Sequence, residues 1–442
     1  MEAAAQHIAV EARLTGAGGR TVFLDAPPAG GGTRVAGFAA TDDRGVALPV
    51  QRTGGGYAVV HEGPGAVRFR YRLSFTDSVS SGSTASGLDS ARLYAVTRGL
   101  FVAPDPVLLR KTGGAYPAIR VVFILPPAWT LVSAWDSAGP ALAPRSGDDL
   151  LDGTLAAAGD YRTYADTAGG ARFALAIRGT RGFSDSALLD VVAEGLRRGA
   201  ETFGPVPVPH VTYISDTGRK GRTSGSLQGK ASIGLLWEKG ELLERARSHD
   251  VFHETLHLWM GGVLETERWW TEGADDYFAA RLYAEWRQDP AELAALCWQS
   301  LRNYEGIPRH LTTTMAAEAR LRPGGDNTQL LVYRKGMLAA LLLDAAIRKD
   351  SHGRRSLDDV ARSLLALAAA RGRTVSEAEI GAAVAEAGGS TAAREWRRVV
   401  AGTDAITAGQ VAAALRVVTG VAPPPPPQPV EHPKTLSRTP TP

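Results

Sequence analysis

Two neighbouring stretches, VFHETLHLWMGG at residues 251–262 and WWTEGADDYFAARL at 269–282, decide how the rest of the chain is understood. If the first is helical, residues four apart are displaced by about 40° around the axis and about 6 Å along it, so His253 and His257 point the same way. Two imidazoles on consecutive turns can occupy two corners of a tetrahedral metal site, with the Glu254 carboxylate beside the open position. The competing reading is a solvated helix face that carries two histidines by coincidence. Val251, Leu256, Leu258 and Trp259 argue for a buried helix instead, and buried histidines need partners.

Two histidines leave a zinc site incomplete. Glu272, fifteen residues after His257, is the best third ligand, because the interval lets the first helix end at Gly261-Gly262, turn, and start a second helix beside it. A carboxylate favoured by the dipole at a helix N-terminus is its other possible role. Asp275 and Asp276, one turn later, could accept the outer N–H of a ligating histidine or serve as ordinary structural acids.

Upstream, the sequence from Ile8 to about residue 179 is strand-like. IAVEARL, TVFLDAP, YAVVHEG, AVRFRYRLSF, IRVVFILP, TLVSAWD and ARFALAIRG are short, β-branched or aromatic, and separated by Gly and Pro. PPAGGGT near residue 30 and SVSSGSTASGLDS near residue 84 have the composition of loops. After Gly182 the pattern mixes a helix, SDSALLDVVAEGLRRGAETFG, with the strands VPHVTYISD and ASIGLLW. From Glu241 nearly everything is helical, with ELLERARSHDVFHETLHLWM expected as one helix, and the polyproline run after Val421 opens a tail expected to be disordered.

Bulk properties exclude several classes of function. With 442 residues, 44% of them hydrophobic, the chain can bury a large core divided among two or three domains. Its longest apolar run, MLAALLLDAAI, is broken by an aspartate and too short to span a bilayer, so a soluble chain is expected. The net charge of +3 comes from dispersed arginines, which argues against a nucleic-acid partner. The single cysteine, Cys297, excludes an intramolecular disulfide and suits core packing. No secretory signal is visible at the N-terminus, although one trimmed before residue 1 would allow export; compartment and oligomeric state are not legible.

HETLHLW, then WWTEGADDYF, then VYRKG at 332–336 resemble the gluzincin zinc metallopeptidases, nearest the glycyl aminopeptidase family and more distantly the aminopeptidase N type. The resemblance covers roughly residues 200–420, including REWRRVVAGTDAITAGQVAAAL. It implies that His253, His257 and Glu272 bind Zn2+, that Glu254 is the general base, and that Tyr333 donates a hydrogen bond to the oxyanion. Gly225, Ser226, Leu227, Gln228 and Gly229 fall where these enzymes pair a strand with the peptide substrate. Gln228 replaces the usual amine-binding glutamate there and removes an ion pair to the substrate. The interval between His257 and Glu272 is shorter than the aminopeptidase N pattern, implying a tighter loop.

The expected fold is α+β: a β-rich N-terminal domain (1–179), a thermolysin-like α/β catalytic domain (180–345), a helical C-terminal domain (346–421) and a Pro-rich tail (422–442). The expected activity is zinc-dependent hydrolysis of peptide bonds, as an aminopeptidase acting on small N-terminal residues. Endopeptidase or other gluzincin specificity, and a non-catalytic zinc-stabilised peptide-binding module, are the alternatives.

Overall fold

The computed structural model describes residues 7–24, 33–53, 56–75, 87–88, 92–96, 120–138, 141–143, 155–217, 224–307, 314–315, 329–372 and 374–425. The loops expected near residues 30 and 84 lie outside the described residues, apart from Thr33 and a two-residue strand, as does the tail beyond residue 425. Contacts divide the chain into two compact units, Met1–Val263 and Leu264–Pro442.

The first unit opens with strands β1 (His7–Leu24), β2 (Thr33–Thr41), β3 (Val50–Thr53) and β4 (Gly56–Phe75). β4 is the spine: β1 pairs along its whole length on one side, and β2 and β3 divide the other, all antiparallel. Sequence punctuation predicted four shorter strands where β1 and β4 run unbroken. The Gly and Pro residues there are absorbed as register shifts between Leu14 and Ala17 and between Gly18 and Arg20, local bulges that bend a ladder without ending it. Alternation along β4 buries Phe69, Tyr71 and Leu73 and exposes Arg68, Arg70 and Arg72. Phe38 stacks on Tyr57 with ring centroids 4.4 Å apart and adjoins Phe69 and Tyr71, forming the aromatic centre of this core.

Two smaller antiparallel sheets follow, made of β5 (Gly87–Leu88), β6 (Arg92–Val96), β7 (Val121–Val122), β8 (Thr130–Ser133), β9 (Asp136–Ala138), β10 (Ala141–Ala143) and β11 (Leu155–Gly159). Their orders are β7-β10-β9 and β5-β6-β11-β8.

A five-stranded mixed sheet then forms from β12 (Arg162–Ala168), β13 (Ala171–Ile177), β14 (His210–Thr217), β15 (Ser224–Gln228) and β16 (Ser232–Trp237), in the order β12-β13-β14-β16-β15. Helix α1 (Asp185–Phe203), capped by Ser184, connects the parallel pair β13 and β14. All six residues of β16 are buried, the mark of a strand covered on both faces. On one face Ile214 and Leu236 meet Tyr94 and Leu155 of the neighbouring sheet, while on the other Tyr213 reaches helix α2 (Arg245–Leu256). Among the described residues β15 pairs only with β16 and ends the strand order of this sheet.

The second unit is helical. A six-residue π-helical turn, Trp269–Ala274, runs into α3 (Asp275–Arg287), followed by α4 (Pro290–Glu305), α5 (Gln329–Asp350), α6 (Leu357–Arg371), α7 (Glu377–Val399) and α8 (Ala408–Thr419). Capping boxes at Ser356/Asp359, Ser376/Glu379 and Thr407/Gln410 start the last three. α5 is the central rod. Its buried Asp344 accepts from the Tyr277 hydroxyl, from Arg348 and from the Leu357 backbone N–H, tying α3, α5 and α6 together. Cys297 is fully buried on α4, as its apolar neighbours suggested. Among the described residues no helix is long and apolar enough to cross a membrane.

Candidate metal centre

Helix α2 is shorter than the sequence implied. It starts at Arg245 and ends at Leu256, with His257 as its C-cap still in helical geometry and donating its backbone N–H to the His253 carbonyl. The two histidines therefore keep the i, i+4 relation although the second stands on the cap residue just past the rod. Gly261 then takes φ 148°, and the Gly262 N–H closes onto the His257 carbonyl at 2.8 Å, which turns the chain sharply away.

Three contacts, one from Thr255 and two from Trp259 just past the helix end, fix α2 against the sheet and α1. The Thr255 hydroxyl donates to the Val251 carbonyl at 2.7 Å, so the buried Tyr213 hydroxyl donates to Thr255 Oγ1 at 3.0 Å. Burial pushes the Tyr213 phenol well above its ordinary pKa, keeping it a neutral donor. Trp259 lies on α1 where Gly199 leaves room, since a Cβ there would come within 2.6 Å of the indole. Its Nε1 donates to the Gly204 carbonyl at 3.1 Å. Trp259, Trp269 and Trp270 are all at most 2% exposed and serve as core anchors: Trp269 meets Trp396 edge-on, and Trp270 meets Phe278.

His253 and His257 sit with ring centroids 4.6 Å apart and planes at 79°. His257 Nδ1 donates to the Met260 carbonyl at 3.2 Å, which fixes the tautomer and leaves Nε2 with a lone pair. Sequence reasoning could not have found that partner, because any residue offers a carbonyl. His253, His257 and Glu272 each present one ligand atom within 4.8 Å of the other two. They are the one such group of three or more His, Cys, Asp or Glu side chains among the described residues. Two imidazole nitrogens and one carboxylate form a borderline-soft donor set that suits zinc and leaves a fourth corner open.

Glu272 lies on the π-helical turn, which the sequence did not reveal. There the Asp275 N–H reaches back to the Trp270 carbonyl, an i to i+5 bond that inserts one extra residue into the turn. Gly273 and Gly336 explain how the turn is held. A Cβ on Gly273 would fall 2.3 Å from the Val332 carbonyl and 2.6 Å from the Gly336 Cα, and one on Gly336 would fall 2.9 Å from the Trp269 carbonyl. The glycines of TEG and YRKG thus let two backbones touch, bringing the Tyr333 segment of α5 against the Glu272 turn.

Asp275 is fully buried and Asp276 nearly so, with Asp276 Oδ2 3.6 Å from the Arg334 guanidinium. Asp276 therefore helps join α3 to α5. Lys335, between Arg334 and Gly336, faces away from the turn and donates to the Gly402 carbonyl at 3.1 Å.

Glu254 is buried, and Gly225 of β15 lies against it: a Cβ at that position would come within 2.3 Å of the Glu254 Cγ and 2.7 Å of Oε1. Of the segment Gly225–Gly229, the residues Gly225–Gln228 lie on β15 beside the carboxylate and Gly229, at φ 60°, opens the turn that follows; a glycine inside a strand was the sequence signal for a close approach. Gln228 Nε2 donates to Ser226 Oγ at 3.0 Å. One turn before His253, the buried His249 sits 3.6 Å from Asp250. Burial opposes a charge on Asp250, but the His249 hydrogen bond and the nearby cations outweigh it and hold the carboxyl below its usual range.

No family model and no curated protein matches this sequence. Solved structures do. An aminopeptidase N family protein from Idiomarina loihiensis superposes with a TM-score of 0.78 at 16% identity, over 93% of this chain and 76% of that one. The M1 zinc metallopeptidase of Deinococcus radiodurans superposes with a TM-score of 0.57 at 16% identity, over 91% of each chain. A variant of the latter was solved with a Tyr-Ser-Ala substrate. At this identity the likeness establishes the fold: the chain has the mixed, multi-domain architecture of these metallopeptidases with a helical C-terminal part.

Proposed function

We propose that this chain is a zinc-dependent peptidase that removes residues from peptide N-termini, with preference for small first residues. The observation that carries the reading is the convergence of His253, His257 and Glu272 within 4.8 Å, with a buried glutamate next to the first histidine. Bound there, zinc would supply a Lewis acid for the scissile carbonyl and lower the proton affinity of a water.

The side chains divide the remaining work. Glu254 accepts the proton of the attacking water and returns it to the leaving amine nitrogen, which its place one residue from His253 permits. Tyr333 donates its hydroxyl to the oxygen on which charge develops. β15, last in the strand order of its sheet among the described residues, receives an extended substrate alongside it, and Gly225 lets the strand lie against Glu254, so the bond to be cut is delivered to the base. Gln228, at the end of β15, would meet the substrate amine with a neutral amide in place of a carboxylate. Asp276 and Arg334 lock the Glu272 turn to the Tyr333 helix.

Gln228 also supports a second reading. A neutral acceptor gains less from an ammonium than a carboxylate would, so internal peptide bonds or blocked N-termini would be less strongly rejected. Measuring bound metal and turnover on free and N-acetylated small peptides, for wild type and Glu254→Gln, tests both. The variant should keep its zinc and lose about 10²- to 10⁴-fold in kcat. Unchanged turnover defeats the mechanism, bound zinc without turnover in either protein favours a binding module, and equal rates on acetylated peptides favour the second reading.

A further inference from the structure

The outward face of the first sheet carries a row of charge unrelated to the metal centre. Arg68, Arg70 and Arg72 alternate outward along β4 while the residues between them are buried. Same-face positions on a strand recur roughly every 7 Å, so the three guanidinium groups form a straight row about 14 Å long. Across the ladder β1 sets Arg13, Glu11 and Ala9 beside them, and β2 sets Thr41, Ala39 and Ala36. On the β2 side Thr41, Ala39 and Ala36 are short and leave the row uncovered, as does Ala9 on the β1 side.

The row is compensated at one end only, where Asp43 lies close enough to Arg68 to interact with its charge. Asp43 is engaged by the Ala66 N–H at 2.9 Å and by Arg13 at 3.1 Å, which hold its carboxyl below the usual range. Glu11 stands opposite Arg70 in register, yet among the described residues no carboxylate lies within ion-pair distance of Arg68, Arg70 or Arg72. Like charges aligned on one strand repel each other, so folding gains nothing from this arrangement. At one end the surface dips into a cavity of about 430 Å³ lined by Glu11, Thr41, Asp43, Arg44, Arg68 and Arg70.

We propose that this row binds an acidic polypeptide segment in extended conformation, each arginine taking one carboxylate. An extended peptide with acids at every second position repeats at the same roughly 7 Å spacing, and guanidinium forks match carboxylates two bonds at a time. Among the described residues, the outward positions beside the row hold no aromatic ring on which a nucleic-acid base could stack and no long apolar chain to enter a bilayer.

The test is fluorescence anisotropy with a labelled peptide of alternating Glu and Ser, acetylated and amidated at its ends. At low salt the R68Q/R70Q/R72Q variant should bind about tenfold or more weakly than wild type, with its melting temperature and its turnover of a small neutral peptide unchanged. An Arg→Glu change at all three positions should lose the acidic peptide and gain an alternating Lys and Ser peptide. Equal binding by wild type and the Gln variant, equal binding of a Gln and Ser peptide, or tighter binding of oligothymidylate or phosphatidylserine vesicles would each overturn the proposal. So would failure of the charge-reversed protein to gain the basic peptide.

Discussion

Gly225 carries more information than its missing side chain suggests, because the space a Cβ would need is occupied by Glu254. Gly225→Ala must displace either the strand or the carboxylate, and overpacking of a buried contact costs about 1–3 kcal/mol. We expect kcat/KM to fall more than about tenfold with metal content intact; an alanine variant with wild-type kinetics would separate the strand from the chemistry. The histidine pair was legible from sequence because helical periodicity alone aligns it. The Met260 carbonyl that orients His257, and the contact of Gly225 with Glu254, depend on a turn and a strand pairing that no local pattern encodes.

At the scale of elements, the π turn and α5 act as one device. Gly273→Ala would drive a Cβ to 2.3 Å from the Val332 carbonyl, so the turn bearing Glu272 must lift from the helix bearing Tyr333. Lower thermal stability together with weaker zinc binding is the expected result, and a loss of stability with unchanged zinc affinity would contradict the coupling. Lys335, on the same helix, adds a pH signature. Burial drives its pKa down to about 8, with Asp404 opposing and Arg398 assisting. Between about 8 and the ordinary value near 10.5 the unfolded chain holds the proton more tightly than the folded one, so stability rises with pH through that window, and the cost is greatest below it. Melting curves at about pH 7 and pH 10 should show wild type gaining relative to Lys335→Met; parallel profiles would refute the assignment. Helix existence was clear from periodicity and capping residues. The π insertion was not, because one extra residue in a turn leaves the apolar pattern of WWTEGADDYF almost unchanged.

For the whole molecule, a metal that binds only the folded state stabilises it by mass action, by ~4 kcal/mol when the free ion is about a thousandfold above its Kd. Chelation should therefore abolish turnover and lower the melting temperature by several degrees, with both restored by zinc; an unchanged melting curve would show that the three ligands do not share an ion in solution. The overall α+β order was legible because composition shifts sharply after residue 182 and again near 241. The long first ribbon was not. Its consequence concerns handling of the protein: β4 depends on β1 for one entire flank, so a chain lacking the residues up to Leu24 would leave about half the amides along that twenty-residue strand unsatisfied beside an aromatic seam. Such a trimmed product should self-associate into fibrous precipitates, which makes the N-terminal arm the wrong place for a protease-removable tag.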